Sequence, residues 1–241
     1  MNTLPYFTDA ELQAALDSAS LVVLDLNGLI IDDERVQFEA VNRALEPIDI
    51  SITETYWIER CVGKRADEFF HKILTLHGIK AEAEISTLVS QKNRHYHNAV
   101  TRCIDELVRP GVRELIAYLS DVNPRQLALC TSAHPAEIET ILGEGGLDLK
   151  HCFSCIVSGS DVDKCKPDPE IYREVSARSG CSPSECLVFE DSGLGVQSAA
   201  GAGMTCIAVP NRYTVHQDFT HAVRIIDSLR KNAATLTIIH N

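Results

Sequence analysis

Apolar positions along the chain follow two different periods. From Leu21 to Leu26 a run of leucine and valine is interrupted only by Asp25, the pattern of a strand buried on both faces. From about 35 to 107 the spacing turns helical. Val36, Phe38, Val41 and Leu45, then Tyr56, Trp57 and Ile58, then Phe69, Phe70, Ile73, Leu74 and Leu76 recur with charged residues between them. Pro47, Gly63 and Gly78 punctuate that stretch. Beyond it strands and helices alternate. Pro110-Gly111 opens a helix through Val112, Leu115, Ile116 and Leu119. Residues 126–130, 155–157, 186–189 and 205–209 read as strands, and 135–142, 169–179 and 195–202 as helices, with Gly143, Gly180 and Gly203 as their stops. A short helix is expected within 3–20, with Thr8 as its N-cap and Glu11 completing a capping box. Residues 235–239 are expected to form a last edge strand.

This alternation predicts an α/β fold with a doubly wound parallel sheet and a small α-helical insert after its first strand. The sheet domain takes residues 1–34 and 108–241, and the insert takes 35–107.

Composition narrows the class. The chain has 241 residues, 45% hydrophobic and 23% charged, an ordinary globular balance. No apolar run approaches the roughly 18 residues that span a bilayer, so no membrane partner is expected. The start, Met1 to Asp9, lacks the basic and apolar regions of a signal peptide, which predicts a cytoplasmic protein. The net charge is −12 with no long basic run, and nucleic acid is not expected as a partner. An acidic chain that binds an anion needs locally placed cations, backbone N–H groups or a metal. The nine cysteines are an odd number scattered through apparent elements, as reduced core residues would be. Cys152 and Cys155 form a C-x-x-C after His151, but no second pair lies at zinc-site spacing. His95 and His97 point apart on a helix and are expected at the surface.

The chemistry gathers at strand ends. Ligands of an open parallel sheet bind at the carboxyl ends of its strands. Asp25, Thr131-Ser132 and Glu190-Asp191 each follow an apolar strand run, and Lys166 lies in a loop just before a helix. Singly, each has a bland reading: a helix cap, an N-cap pair, a Lys-Pro loop. Together they make a specific set. Clustered carboxylates repel one another unless a hard cation sits among them, most simply Mg²⁺. The lysine and the hydroxyl loop suit a phosphate, and a carboxylate held against both can act as a nucleophile.

Those residues resemble the haloacid dehalogenase superfamily, in its β-phosphoglucomutase-like and phosphoglycolate phosphatase-like subgroup. The family's D-x-D-G-x-x-x-D appears as Asp25-Leu26-Asn27-Gly28-Leu29-Ile30-Ile31-Asp32. The Thr131-Ser132 step, Lys166 in Lys-Pro-Asp-Pro, and Phe189-Glu190-Asp191-Ser192-Gly193-Leu194-Gly195-Val196 supply the other motifs. The resemblance runs from about 21 to 212 and implies a Rossmann-like core with residues 35–107 as its cap. It implies that Asp25 is the nucleophile and a Mg²⁺ ligand, with Asp191 and the Asn27 carbonyl also on the metal and Glu190 on or behind it. It implies that Thr131 and the Ser132 N–H bind phosphate and that Lys166 neutralises phosphate and Asp25. In the cap, Arg60, Lys64 and Arg65 resemble the subgroup's substrate loop; the bland reading is a solvated helix start with a Lys64–Glu68 pair. The partner implied is a small phosphorylated metabolite, and the protein a monomer or weak dimer.

Asn27 departs from the pattern. The family places its acid/base aspartate there, and an amide has no titrating proton in the useful range. Losing general acid/base help typically costs about 10²–10⁴-fold. One reading is a slowed or specialised phosphatase on sugar phosphates, with Asp32, Asp33 or Glu34 standing in. Others are a β-phosphoglucomutase-like phosphomutase, an Asp→Asn variant that traps an intermediate, and a catalytically impaired phosphometabolite-binding protein. A phosphonoacetaldehyde-hydrolase reading meets a poor match of Lys64 spacing, and Glu190-Asp191 argue against a metal-free dehalogenase.

Overall fold

The computed structural model describes residues 6–79, 82–122 and 125–235. Its six strands are β1 (Leu21–Leu24), β2 (Gln126–Cys130), β3 (Cys155–Val157), β4 (Cys186–Glu190), β5 (Thr205–Ala208) and β6 (Arg224–Ile225). They form one sheet in the order β3-β2-β1-β4-β5-β6, parallel throughout. The doubly wound parallel sheet expected from the alternating pattern is therefore present.

Alternation within β1 shows why both faces need cover. Val22 and Leu24 pack with helices α1 (Ala10–Ser18), α7 (Val112–Ala117) and α8 (Pro135–Leu142). Leu21 and Val23 face the opposite way, toward α9 (Glu170–Ser179) and α10 (Gly193–Gly201). All four β1 residues are fully buried, and successive side chains of a strand point to opposite faces.

Between β1 and β2 the chain is helical: α2 (Glu34–Leu45), α3 (Glu54–Arg60), α4 (Ala66–Leu76), α5 (Glu82–Val100) and α6 (Ile104–Leu107). These helices bury a separate apolar cluster around Val41, Trp57, Phe69, Phe70 and Ile73, to which Tyr213 of the sheet region adds its ring. Trp57 meets Phe69 edge-on, their ring centroids 5.6 Å apart.

The ends of elements differ from the expectation in instructive places. Helix α1 starts at Ala10, and Asp9 caps it, accepting from the N–H groups of Glu11 and Leu12 at 3.0 Å each. Thr8 is not the cap, because its hydroxyl donates to the Lys231 carbonyl. Tyr6 and Phe7 precede the helix as buried anchors, with the Tyr6 hydroxyl donating to Leu229 O at 2.7 Å. Helix α10 starts two residues before Gly195, since Ser192 Oγ accepts from the Gly195 N–H. Strand β6 has no apolar run to announce it. Of the expected edge strand at 235–239, only Thr235 is described, in an isolated antiparallel bridge with Ile226; the rest lies outside the described residues. His97 is exposed, whereas Tyr96 between the two histidines is buried. Among the described residues no helix is long and apolar enough to cross a membrane.

Candidate active site

The central strands set the site. Leu24 stands opposite Leu129 on β2 and Phe189 on β4, so Asp25 comes level with Cys130 and Glu190. The Asp25 N–H donates to Phe189 O at 3.2 Å and the Thr131 N–H to Val157 O at 3.0 Å, extending the ladders to the last residue before the chain turns. β1 is the strand where the winding changes direction, since β2 lies on one side of it and β4 on the other. An open parallel sheet forms its ligand crevice at that point.

Here the structure brings together Asp25, Glu190 and Asp191, whose carboxylate oxygens lie within 4.8 Å of one another. All three are buried. The loop from β3 to α9 delivers Lys166, whose Nζ donates to Asp25 Oδ1 and Glu190 Oε1 at 2.6 Å each and to Cys130 O at 3.1 Å. Glu190 is fully engaged. Its Oε1 also accepts from the Tyr172 hydroxyl at 2.8 Å, and its Oε2 from the N–H and hydroxyl of Ser192 at 3.2 Å. Asp191 accepts from Asn211 Nδ2 at 2.9 Å.

Three buried carboxylates against the Lys166 ammonium and the Arg109 guanidinium beside Asp191 leave negative charge in excess. Burial raises the Asp25 carboxyl, against the pull of Lys166 and with a further push from Glu190. Burial raises Asp191 strongly, with Asp25 and Glu190 adding to it. For Lys166 burial works against the charge, yet Asp25 and Glu190 outweigh it and hold the ammonium well above the ordinary lysine range. The residues fit a hard divalent cation: oxygen donors converge, carry excess charge and sit among fixed partners.

The turn that follows Asp25 is tight. Gly28 has φ +83°, and a Cβ there would collide with the Asp191 carboxylate. Its carbonyl accepts from the buried Arg109, Nη1 at 2.6 Å, and Arg109 also donates to Val209 O and Pro210 O. Asn211 reaches Gly28 O as well. Arg109 and Asn211 thus pin the loop from the far side, a role the sequence pattern did not reveal.

Thr131 is buried, its Oγ1 accepting from the Ala133 N–H at 3.0 Å. Ser132 Oγ is buried with no hydrogen-bond partner among the described residues. Both line a cavity of about 590 Å³ with Asp25, Asn27, Lys166 and Asp191. That volume suits a small ligand. From the insert, Trp57, Gly63, Lys64, Arg65, Phe69 and Lys92, among others, line it as well. Lys64 and Arg65 are therefore at the cavity, as expected. Arg60 is not: it is exposed at the end of α3, and only its carbonyl is used, accepting from Lys64 Nζ at 2.8 Å. No Lys64–Glu68 pair forms; Arg65 pairs with Asp67 at 3.2 Å.

Asn27 has surroundings of its own. Its Nδ2 donates to Asp33 Oδ2 at 2.7 Å and to Glu137 Oε1 at 2.9 Å. Gln37 Nε2 donates to the same two oxygens, at 3.0 and 2.9 Å. Tyr96 donates to Asp33 Oδ2 at 2.6 Å, and Lys92 pairs with Glu137 Oε2 at 3.3 Å. Residues of α2, α5 and α8 thus converge on one amide. Burial raises Asp33 to about 6, with Glu137 adding to it and three donors opposing. Burial raises Glu34 to about 8, with Asp33 adding to it and the Trp57 indole opposing.

A twisted parallel sheet with a buried carboxylate cluster and a bridging lysine at its carboxyl edge defines a class of phosphate-handling hydrolases. The haloacid dehalogenase-like hydrolase family model matches residues 22–209, and the chain belongs to that family. It is 33% identical over 185 residues to a phosphorylated carbohydrates phosphatase of Thermotoga maritima, covering 76% of this chain and 81% of the relative. It is 30% identical over 191 residues to the β-phosphoglucomutase of Bacillus subtilis, covering 78% of this chain and 82% of that one. Among solved structures it resembles a mutant CbbY of Rhodobacter sphaeroides in complex with xylulose-1,5-bisphosphate, with TM-score 0.77 and 25% identity over 88% of this chain and 95% of that chain. The protein is accordingly an enzyme, a hydrolase or phosphomutase of this family.

Proposed function

We propose that the protein is a Mg²⁺-dependent phosphatase of small sugar phosphates, acting through an aspartyl-phosphate on Asp25. The observation that carries this reading is the Lys166 bridge. One ammonium holds Asp25 and Glu190 at 2.6 Å each, fixing a buried carboxylate at the floor of a small cavity with one oxygen pinned. Its other oxygen is the nucleophile. Thr131 and Ser132, across the cavity floor, suit the phosphoryl oxygens, and the unpartnered Ser132 hydroxyl supplies one donor. Lys166 offsets charge on the transferred group, and Lys64 and Arg65 meet the rest of an anionic substrate.

Asp25, Asp191 and the Asn27 carbonyl would hold the metal, with Glu190 behind them because its oxygens already accept four hydrogen bonds. When bound, Mg²⁺ supplies charge neutralisation for the phosphoryl group and keeps the two aspartates ionised. Residues 35–107 act as the cap over a core of 1–34 and 108–241, and a closed cap favours a small metabolite over a phosphoprotein. The location proposed is cytoplasmic.

The relatives include both a phosphatase of phosphorylated carbohydrates and a β-phosphoglucomutase, so transfer within a sugar phosphate is the second reading. Turnover of p-nitrophenyl phosphate with Mg²⁺ tests the first step, because its leaving group hardly needs a proton. The wild-type protein is expected to release nitrophenol, and Asp25→Asn to release none. Surviving turnover in Asp25→Asn removes Asp25 as nucleophile. No turnover and no Mg²⁺ binding by the wild type sinks the phosphotransfer reading. Inorganic phosphate release from a sugar-phosphate panel then separates phosphatase from mutase.

A further inference from the structure

We propose that Glu34, held by the Trp57 indole at the roof of the cavity, is the general acid and base of the reaction in place of the residue at 27. This inference rests on the phosphotransfer reading above.

Hydrogen-bond accounting leads to it. The Asn27 amide carries two N–H hydrogens, and both are committed, to Asp33 and Glu137. It has nothing to offer a leaving oxygen, and it cannot accept a proton usefully. The proton must come from another cavity residue. Glu137 is an ion-paired carboxylate, its Oε1 accepting two N–H groups and its Oε2 facing the Lys92 ammonium. Cys61 is a buried thiol pushed up to about 12. Asp67 is exposed and paired with Arg65. Lys166 is locked between two carboxylates. His134 is exposed, with Nδ1 accepting the Ala136 N–H as the cap of α8.

Glu34 differs from all of these. It lines the same cavity as Asp25 and Asp191 and is buried. Its Oε2 accepts from Trp57 Nε1 at 2.9 Å, and Oε1 has no hydrogen-bond partner among the described residues. Its charge adds, after burial, Asp25 and Glu190, to what raises Asp191. The titratable and hydrogen-bonding groups around it are Asp32 and Asp33 just before α2, Trp57 on α3 and Cys61 after it, Lys92 and Tyr96 on α5, and Asp191 after β4. Acids outnumber the single lysine, which adds to burial in keeping Glu34 protonated at neutral pH. A carboxyl in that state can give a proton and, once ionised, is a stronger base than an ordinary glutamate.

The steps balance. Asp25 Oδ forms a bond to phosphorus as the bond from phosphorus to the leaving oxygen breaks, and the Glu34 proton passes to that oxygen. Water then gives its proton to the Glu34 carboxylate and its oxygen to phosphorus, and the Asp25 carboxylate departs. The net change is phosphate ester plus water to alcohol plus inorganic phosphate.

Two readouts test it. Trp57 is the only tryptophan in the chain, so its fluorescence reports on the carboxyl it touches. In metal-free protein the emission should titrate near pH 8, and Glu34→Gln, which keeps an acceptor for the indole, should abolish that titration. The second readout is leaving-group dependence, comparing phenyl phosphate with p-nitrophenyl phosphate. Glu34→Gln should lose about 10²–10⁴-fold on phenyl phosphate, with a loss at least about ten-fold smaller on p-nitrophenyl phosphate. Equal losses on the two esters, no loss on phenyl phosphate, or a titration that persists in Glu34→Gln would overturn the proposal. So would His134→Gln showing the selective loss instead. If no ester is turned over by the wild type, the phosphotransfer reading fails, while the fluorescence titration still reads the state of Glu34. Should Glu34→Gln not fold, Trp57→Phe serves. Removing the indole donor raises the Glu34 pKa and should move the alkaline limb of the phenyl phosphate pH–rate profile upward; an unmoved limb refutes the assignment.

Discussion

Restoring the family's aspartate at position 27 should damage this protein rather than repair it. In Asn27→Asp the two N–H donors become lone pairs facing Asp33 Oδ2 and Glu137 Oε1, formerly 2.7 and 2.9 Å away. Hydrogen bonds to charged acceptors are each worth about 1.5–3 kcal/mol, so losing both costs about 3–6 kcal/mol. Protonating the introduced carboxyl caps the loss. From an ordinary value near 3.9, holding it neutral at pH 7 costs about 4 kcal/mol, and at pH 5 about 1.5 kcal/mol. The expected deficit is thus about 3–4 kcal/mol at pH 7. In a chain of this length that lowers Tm by about 6–16 °C.

The deficit depends on pH in a defined direction. The introduced carboxyl binds its proton more tightly in the folded state, so stability falls as pH rises from about 4 to its raised folded value and is flat above. Asp33, raised to about 6, titrates in the same direction, and below that value the cluster sheds a further charge. Urea unfolding of wild type and Asn27→Asp at pH 5 and pH 7.5 measures this. Adding Asp33→Ser to Asn27→Asp should return most of the loss, because it removes the nearest opposing carboxylate. An Asn27→Asp protein as stable as wild type at pH 7.5, or a deficit of equal size at both pH values, would refute the reasoning.

Three further outcomes follow from the same geometry. Lys166→Met leaves Asp25 and Glu190 buried without a counter-charge, which should cost about 3–5 kcal/mol in urea unfolding at neutral pH and abolish p-nitrophenyl phosphate turnover. Gly195→Ala drives a methyl group into the Glu190 carboxylate, which should cost about 1–3 kcal/mol in thermal unfolding and reduce turnover by displacing the partner of Lys166. Mg²⁺ at about 100 times its Kd should stabilise the wild type by about 2.7 kcal/mol in a thermal shift, and Asp191→Asn should lose most of that gain.

The parts of the fold that the sequence makes legible are those written in short-range periods. β2, β3 and α8 occupy the residues their patterns predict: the strands are short apolar runs bounded by polar residues, and α8 is bracketed by Pro135 at its start and Gly143 after its end. The start of α1 is less legible, since Thr8 and Asp9 are both good caps and only the tertiary bond from Thr8 to Lys231 decides between them. The site follows the same rule. Asp25, Thr131, Glu190 and Asp191 can be read because each ends or follows a strand. Arg109 and Asn211 cannot, because they act on Gly28 across 81 and 183 positions of sequence and look like ordinary polar loop residues. Tyr172 and Glu137 sit on helices whose pattern gives no sign that they face inward to a carboxylate or an amide. Arg60 shows the converse: it sits in a basic stretch, but as the last residue of α3 it is exposed and does not line the cavity.

The amide at position 27 and the carboxylate at 33 are best understood together. The family pattern has an acid at the first position; here an amide stands there, and an acid sits six residues on. Asp33 Oδ2 accepts from Asn27, Gln37 and Tyr96, and Glu137 Oε1 from Asn27 and Gln37, so each carboxylate oxygen takes one of its hydrogen bonds from the amide that an aspartate at 27 would remove. The surroundings are therefore built for an amide, which weighs against reading Asn27 as an isolated change in an otherwise ordinary site. The exchange also has a mechanical consequence. Asn27 follows the nucleophile, Gln37 and Tyr96 belong to the helical insert, and Glu137 belongs to the sheet region, so one network ties the insert to the reaction floor. With that amide committed to Asp33 and Glu137, the proposed proton-carrying task falls to Glu34, one residue beyond Asp33, which lines the cavity and whose carboxyl burial holds above the ordinary glutamate range.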